Sequence, residues 1–151
     1  NCLEELATLG NQRRPLAGEP WAAPRTEERL LARVDAIVAC GPEVLPDLVK
    51  ELEERPLPDP EMTWALLFLF GSIAGDDAAD QVVRLVLSAD LDAPDMALFV
   101  ADALALAPSP ALERPLRAWM TAAARPTLRA LALTALGRRR LLTFAEAAAP
   151  V

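Results

Sequence analysis

Acidic side chains form the densest group of chemically active residues in this chain. Asp76, Asp77 and Asp80 follow Gly75, and Asp76 and Asp80 share one helix face at a spacing of four residues. Carboxylate oxygens at this spacing can hold a hard divalent cation. A glycine followed by aspartates is also typical of one helix ending and the next beginning. The capping interpretation is favoured, and cation binding stays open.

Nucleophilic and proton-transfer chemistry has few side chains to use. The chain has no histidine, which excludes Ser-His-Asp and Cys-His catalytic systems. It has no glycine-rich phosphate-binding motif, and its two cysteines lack the spacing of a metal site. We therefore expect no enzymatic activity and no cofactor. Cys40 ends an apolar stretch and is expected to be a buried thiol in a reducing, cytoplasmic setting, with a Cys2–Cys40 bridge as the open alternative.

The charges are divided unevenly along the chain. Residues 1–110 carry eight basic and twenty acidic side chains, a balance of −12, whereas residues 111–151 carry seven arginines and two glutamates, a balance of +5. The net charge of −7 argues against general nucleic-acid binding, because phosphate contacts supply most non-specific affinity. The C-terminal arginines predict a surface for an acidic partner protein. Self-association, and a helix-stabilising role for the arginines at 138–140, are the alternatives.

The candidate partner-binding residues lie on two predicted helices near the C-terminal end: Arg117, Trp119, Arg125 and Arg129. Trp119 is a candidate exposed aromatic anchor because it lies on a short amphipathic helix between two long side chains. Trp64 and Phe68 belong instead to a stretch that is apolar nearly all round, so we expect both of them in the core.

A helix-opening pattern recurs three times and indicates how these residues are positioned. Pro60, Pro94 and Pro126 lie 34 and 32 residues apart, and each precedes a mostly apolar stretch. Proline suits the first helical position, and a period near 33 is typical of one helix–turn–helix unit in a repeat protein. Alanine and leucine dominate the composition, so we predict an all-α protein of about eight or nine helices. Small residues recur in phase in these units: Gly71, Ala105 and Gly137.

Two segments resemble the helices of a HEAT repeat. The stretch 125–137, Arg-Pro-Thr-Leu-Arg-Ala-Leu-Ala-Leu-Thr-Ala-Leu-Gly, is similar to the first helix, and 41–49, Gly-Pro-Glu-Val-Leu-Pro-Asp-Leu-Val, is similar to the second. A fainter pattern resembles the N-terminal part of uncharacterised proteobacterial HEAT-like proteins, some encoded near type VI secretion genes. It consists of Leu3-Glu4-Glu5-Leu6, Glu28-Arg29-Leu30, Asp35 and the Leu-Arg-Ala-Leu block at 128–131.

The HEAT-like resemblance implies a right-handed stack of antiparallel helix pairs, an α-solenoid. It predicts residues 26–151 as the helical-repeat domain, with residues 1–25 as an N-terminal helix and proline-rich strap that caps it. Trp21 is expected to hold the strap in place. The chain has the size of a single domain, and we expect it to be part of a longer protein.

Three functions follow from this organisation. The favoured one is a non-catalytic scaffold or adaptor that binds another protein, as HEAT-like repeats do. The second is a structural or oligomerisation domain of a longer protein. The third is a nucleic-acid-binding or repair protein on the same scaffold, which would need a basic groove with a central carboxylate, such as Asp102 near Arg129. No stretch is long and apolar enough for a membrane span, so we expect no membrane partner.

Overall fold

The computed structural model describes residues 2–13, 24–53, 59–121, 125–143 and 145. The described part is all-α, as predicted, with eight α-helices and no strands. In chain order they are α1 Cys2–Gln12, α2 Pro24–Val38, α3 Leu45–Glu53, α4 Pro60–Phe70, α5 Asp76–Ser88, α6 Met96–Leu106, α7 Glu113–Thr121 and α8 Pro126–Arg138. Short 3₁₀ turns, Pro42–Val44 and Pro110–Leu112, precede α3 and α7. Most of the expected strap, including Trp21, and most of the chain after residue 143 lie outside the described residues.

Two of the three proline signals begin helices as predicted. Pro60 opens α4, where the Asp59 carboxylate accepts a hydrogen bond from the Met62 amide at 2.8 Å, and Pro126 opens α8. Pro94 does not open α6. The chain makes a further turn there, Asp95 takes a left-handed conformation with φ of 64°, and the helix begins at Met96. Aspartate tolerates this conformation better than most residues, so a local turn displaces the helix start by two residues.

Another expectation near a helix end was wrong. Cys40 is exposed rather than buried, and both cysteines are free thiols. The reason is that α2 ends at Val38, so Cys40 lies in the turn beyond the apolar stripe that contains Leu30 and Val34.

Helix α4 lies at the centre of the core, as its apolar sequence predicts. Every residue from Thr63 to Phe70 is buried. Helix α4 packs against α1 on one side and α6 on another, and α6 packs in turn against α8. Leucines of α1 belong to the same core cluster as those of α4, α6 and α8. The division of the chain at residue 25, the stacking of helix pairs and its right-handed sense stay predictions.

The C-terminal ends of α4, α6 and α8 meet, so these three helices run in the same direction. Just after α4, the Gly71 carbonyl accepts a hydrogen bond from the Ser109 amide, which follows α6, at 2.9 Å. Just after α8, the Arg139 guanidinium donates to the Leu104 and Ala107 carbonyls at the end of α6. The three helices that share the sequence pattern are therefore neighbours with a common orientation.

The recurring small residues have different environments. A Cβ added at Gly71 would lie 2.5 Å from Ala107 Cβ and 2.9 Å from the Leu67 carbonyl oxygen, so this position needs glycine. A Cβ at Gly137 would meet only Leu142 Cδ1, at an ordinary 3.4 Å. Ala105 is half-buried on the outer side of α6. Close helix approach therefore explains the small residue at Gly71 and not at Gly137.

We expect Gly71→Ala to lower the free energy of unfolding by about 1–3 kcal/mol, because overpacking forces backbone shifts between the ends of α4 and α6. The matched control is Gly137→Ala, on the exposed side of α8. It is expected to be neutral or to raise stability by up to about 1 kcal/mol, through the better helix propensity of alanine. Urea unfolding followed by circular dichroism measures both changes. Equal effects at the two positions would contradict the packing argument.

Candidate functional site

A buried charged cluster joins four helices around Asp102. The Asp102 side chain lies on α6, and the residue is 7 % exposed. Its Oδ2 accepts hydrogen bonds from Arg13 Nη2 at 2.6 Å and from Trp64 Nε1 at 2.9 Å. Its Oδ1 accepts from Arg138 Nη1 at 3.1 Å. The cluster connects the end of α1 with α4, α6 and α8.

Packing around Trp64 fixes the geometry of this cluster. The Arg13 guanidinium lies over the Trp64 ring, 5.8 Å from its centroid, in a cation–π arrangement. Phe68 stacks on the same ring with centroids 5.1 Å apart. Gly10 faces the ring so closely that any added Cβ would overlap it. Trp64 is therefore held between α1 and its own helix with its N–H directed at Asp102.

Asp102 does not pair with Arg129, contrary to the arrangement considered for a repair protein. Arg129 and Arg138 are nine residues apart on α8, and at about 100° per residue they lie on opposite sides of that helix. Arg138 faces α6, so it is the one that reaches Asp102. Both oxygens of the carboxylate accept hydrogen bonds from fixed donors. This arrangement is typical of a structural ion cluster, whose charges are matched by its partners.

A second arginine, Arg139, caps the C-terminal end of α6. Its Nη1 donates to the carbonyl oxygens of Leu104 at 3.3 Å and Ala107 at 2.7 Å, and its Nη2 donates to the Ser109 carbonyl at 2.8 Å. Burial lowers the pKa of the Arg139 guanidinium from its ordinary value, and the Glu113 carboxylate raises it in part. An arginine stays cationic at neutral pH even so, and its charge favours the negative end of the α6 dipole.

The four predicted partner-binding residues do not form one surface. Arg117 donates to Glu113 Oε1 at 2.8 Å and to the Leu141 carbonyl at 2.9 Å, beside the C-terminal end of α8. Arg125 precedes the other end of α8, about 20 Å away along a 13-residue helix. Arg125 is exposed and Arg129 is half-buried. Arg117 and Arg125 therefore lie near opposite ends of α8.

Trp119 is not an exposed anchor, because it is only 8 % exposed. It lies seven residues after Leu112 and three after Leu116, and these three residues form the buried stripe of the segment that includes α7. The exposed side of this segment carries Arg114 and Ala118 instead. The amphipathic pattern was interpreted with the correct period, but the tryptophan belongs to its inner face.

The exposed apolar side chains of α6 lie on one face of that helix. Leu98 is 61 % exposed and Leu106 is 38 % exposed, with the half-buried Ala105 between them. Spacings of seven and eight residues place all three on one side of a helix, together with Asp102. Helix α8 adds exposed small residues beside them, and contact between Arg138 and Asp102 joins the two faces. We call this surface the α6–α8 face: Leu98, Ala105, Leu106, Ala130, Thr134 and Gly137.

A cleft of about 210 Å³ adjoins the α6–α8 face at Leu106. Its apolar walls come from α2, α4 and α6, and its charged residues are Arg13 and Glu27: the complete lining is Arg13, Glu27, Leu30, Leu31, Phe68 and Leu106. Arg13 Nη1 lies 3.8 Å from Glu27 Oε1, so the charges in this cleft are matched by each other. Leu31, at 51 % exposed, extends the apolar surface onto α2.

The acidic cluster lies at the start of α5. Gly75 is the N-cap, with φ of 110°, and Asp76 and Asp77 occupy the first helical turn. Asp76, Asp77 and Asp80 are all exposed, and Asp76 Oδ1 lies 4.0 Å from Arg114 Nη2. Among the described residues, no three potential metal-ligating side chains are grouped to hold an ion. Asp76 and Asp77 interact with the positive end of the α5 dipole.

The sequence matches no protein-family model, and comparison with curated proteins and with solved structures finds no significant similarity. The HEAT-like relationship therefore stays a resemblance in pattern. No helix in the described ranges is both long and apolar enough to cross a bilayer. A functional assignment consequently depends on the surface chemistry of this chain alone.

Proposed function

We propose that this chain is a non-catalytic protein–protein interaction module that binds its partner through the α6–α8 face. One observation carries the proposal. Helix α6 belongs to the core layer and is apolar along most of its length, yet it exposes Leu98 and Leu106 on a single face. Clustered exposed apolar side chains on a folded domain are typical of interaction sites. An apolar face of this kind suits the apolar stripe of a partner helix.

The centre of this face is compatible with burial under a partner. Asp102 lies between the two leucines along α6, and Arg13 and Arg138 balance its charge. A partner would therefore cover a carboxylate whose hydrogen bonds are already made, which avoids most of the cost of burying a bare charge. Full burial of each leucine would contribute about 1.5–3 kcal/mol before the cost of association.

Exposed arginines add a second contribution to partner binding, and it can be tested separately from that of the leucines. Arg125 and Arg129 remain proposed contacts for an acidic partner surface. Arg125 is the more suitable of the two because it is exposed, whereas Arg129 is half-buried and already has an interaction within the chain. Arg117 bonds Glu113 and the Leu141 carbonyl, and Trp119 is buried, so both are less available to a partner. Exposed charges steer association and add specificity more than affinity. The proposal therefore assigns affinity to the leucines and orientation to these arginines.

We expect Leu98→Glu to reduce partner binding at least about tenfold, equivalent to about 1.4 kcal/mol, because it places a charge in an apolar contact. The measurement is affinity capture from source-cell lysate followed by quantitative mass spectrometry. The matched control is Leu87→Glu, which changes a leucine on α5 that is 47 % exposed and lies outside the α6–α8 face. Circular dichroism establishes that both variants remain folded.

The same experiment distinguishes the two contributions. Loss of a captured protein with Leu98→Glu, and retention with Leu87→Glu, supports the α6–α8 face. Loss only with the Arg125→Glu/Arg129→Glu variant would instead assign binding to the arginines. Identical profiles for all of these variants would contradict the interaction proposal and favour a structural role within a longer chain.

The nucleic-acid alternative has less support from the geometry. Its central carboxylate would need an open position, whereas the Asp102 oxygens accept from Arg13, Trp64 and Arg138. The overall charge of −7 also disfavours phosphate contacts. Salt-dependent binding of this chain to duplex DNA at micromolar concentration would reverse the preference.

A further inference from the structure

We infer that the α6–α8 face binds a second copy of the same chain, forming a two-fold dimer in which the two α6 helices are antiparallel. This inference rests on the proposed assignment of the α6–α8 face, and it names the partner; the proposed contacts of Arg125 and Arg129 are not used in this dimer. A two-fold interface requires one surface to be complementary to itself. The α6–α8 face meets this requirement both in its apolar side chains and in its charges.

The apolar side chains are placed symmetrically along α6. Leu98 and Leu106 each lie four residues from Asp102, or about 6 Å along the helix axis. A two-fold axis passing between α6 and α8, beside Asp102, would set these two leucines of each copy against α8 of the other copy. The exposed residues of α8 beside them are small, namely Ala130, Thr134 and Gly137. They leave room for the leucines of the second copy.

The charges at the two ends of α6 have opposite sign. Its N-terminal end follows Asp92 and Asp95, which are both exposed. Its C-terminal end is next to Arg139, which bonds its last carbonyls, and the exposed Arg140 follows in the chain. In an antiparallel dimer the acidic end of each α6 faces the basic end of the other. The two antiparallel helix dipoles also attract each other.

Charges of the opposite sign lie near both ends without reversing the pattern. At the acidic end, Arg125 precedes α8 and is outnumbered by Asp92 and Asp95. At the basic end, Glu27 is matched by Arg13 and Glu113 by Arg117, so Arg139 and Arg140 leave that end positive. Asp102 lies beside the two-fold axis, where two bare carboxylates would repel each other. Asp102 avoids this because Arg13 and Arg138 bind it.

The small area of the α6–α8 face predicts a weak dimer. Helix α6 is about 16 Å long and α8 about 20 Å, and packed helices lie about 10 Å apart. The face therefore presents on the order of 400 Å² per copy, which is at the low end for specific protein interfaces. We expect a dissociation constant in the micromolar range and a marked dependence on salt, because the complementary end charges are exposed.

Sedimentation velocity of the full chain over a concentration series, from about 1 to 500 μM, tests the inference. The wild type is expected to show a reversible monomer–dimer equilibrium. Leu98→Glu is expected to raise the dissociation constant at least about tenfold, equivalent to about 1.4 kcal/mol, and Leu87→Glu to leave it unchanged. A wild type that is monomeric at every concentration would overturn the inference. A dimer that is insensitive to Leu98→Glu would also overturn it, because it would use another surface.

A charge swap tests the antiparallel arrangement. Asp95→Lys and Arg140→Glu are each expected to raise the dissociation constant about threefold to tenfold, because each places like charges opposite each other at both ends. The double variant is expected to restore most of the wild-type value, which a merely destabilised fold would not do. Failure to recover contradicts the antiparallel geometry. If the wild type stays monomeric while Leu98→Glu still abolishes capture of another protein, the self-association inference fails and the proposed function stands.

Discussion

Replacing Asp102 with alanine is expected to lower the free energy of unfolding by about 3–5 kcal/mol. The substitution removes the acceptor of Arg13 at 2.6 Å and of Trp64 Nε1 at 2.9 Å. Arg13 is itself buried, so its charge would lose its closest counterion in a poorly solvated position, and Glu27 at 3.8 Å would replace it only in part. Four helices meet at this carboxylate, so the loss affects the whole tertiary structure.

Chemical unfolding measures this effect, and an exposed aspartate provides the comparison. Asp80→Ala removes the same charge from α5 and is expected to change stability by less than about 0.5 kcal/mol. The double variant Arg13→Met/Asp102→Leu is expected to recover a substantial part of the loss, because it leaves no unpaired charge in the core. If Asp102→Ala cost no more than Asp80→Ala, the cluster would have no structural role.

The second large effect is expected from Arg139→Met, which should lower the free energy of unfolding by about 2–4 kcal/mol. Three carbonyl oxygens, those of Leu104, Ala107 and Ser109, would lose their charged donor at once. Hydrogen bonds to charged groups contribute about 1.5–3 kcal/mol each in isolation, although bonds that share one side chain are not additive. Methionine retains the length of the side chain, so the change reports mainly on the lost donors.

Arg140→Met is the matched control for this prediction. It removes the same charge at the adjacent position, where the side chain is exposed and the backbone is already left-handed, with φ of 58°. Its expected effect is within about 0.5 kcal/mol. Thermal unfolding of both variants at one pH makes the comparison. Equal losses would show that the overall positive charge at the end of α8, rather than the bonds to α6, stabilises this region.

Local signals predicted the helices well, because they act within a few residues. Asp59 and Pro60 begin α4 as expected, since a carboxylate and a proline satisfy the first helical turn without any tertiary contact. The wholly apolar sequence of α4 also predicted its central position correctly. Where a local turn competed with the proline signal, as at Asp95 before α6, the helix begins two residues later than predicted.

The proposed binding surface was harder to predict, because the helical period alone does not say which apolar face is covered by a neighbouring helix. Trp119 was considered as an exposed anchor and is buried, whereas Leu98 and Leu106, which no sequence signal singled out, are exposed. Leu112, Leu116 and Trp119 do share a helix face at the expected spacing, and that signal would have placed the tryptophan correctly.

The amino-acid sequence by itself determined the all-α class, most helix starts and the helix at the centre of the core, because capping, propensity and periodicity are properties of neighbouring residues. Only the tertiary structure decided the partners of Asp102, since Arg13 is separated from it by 89 residues and Arg138 by 36. It also decided that Arg138, and not Arg129, faces α6, and that Leu98 and Leu106 are left uncovered. Long-range pairing and the exposure of a face depend on which helices become neighbours, and local sequence does not specify that.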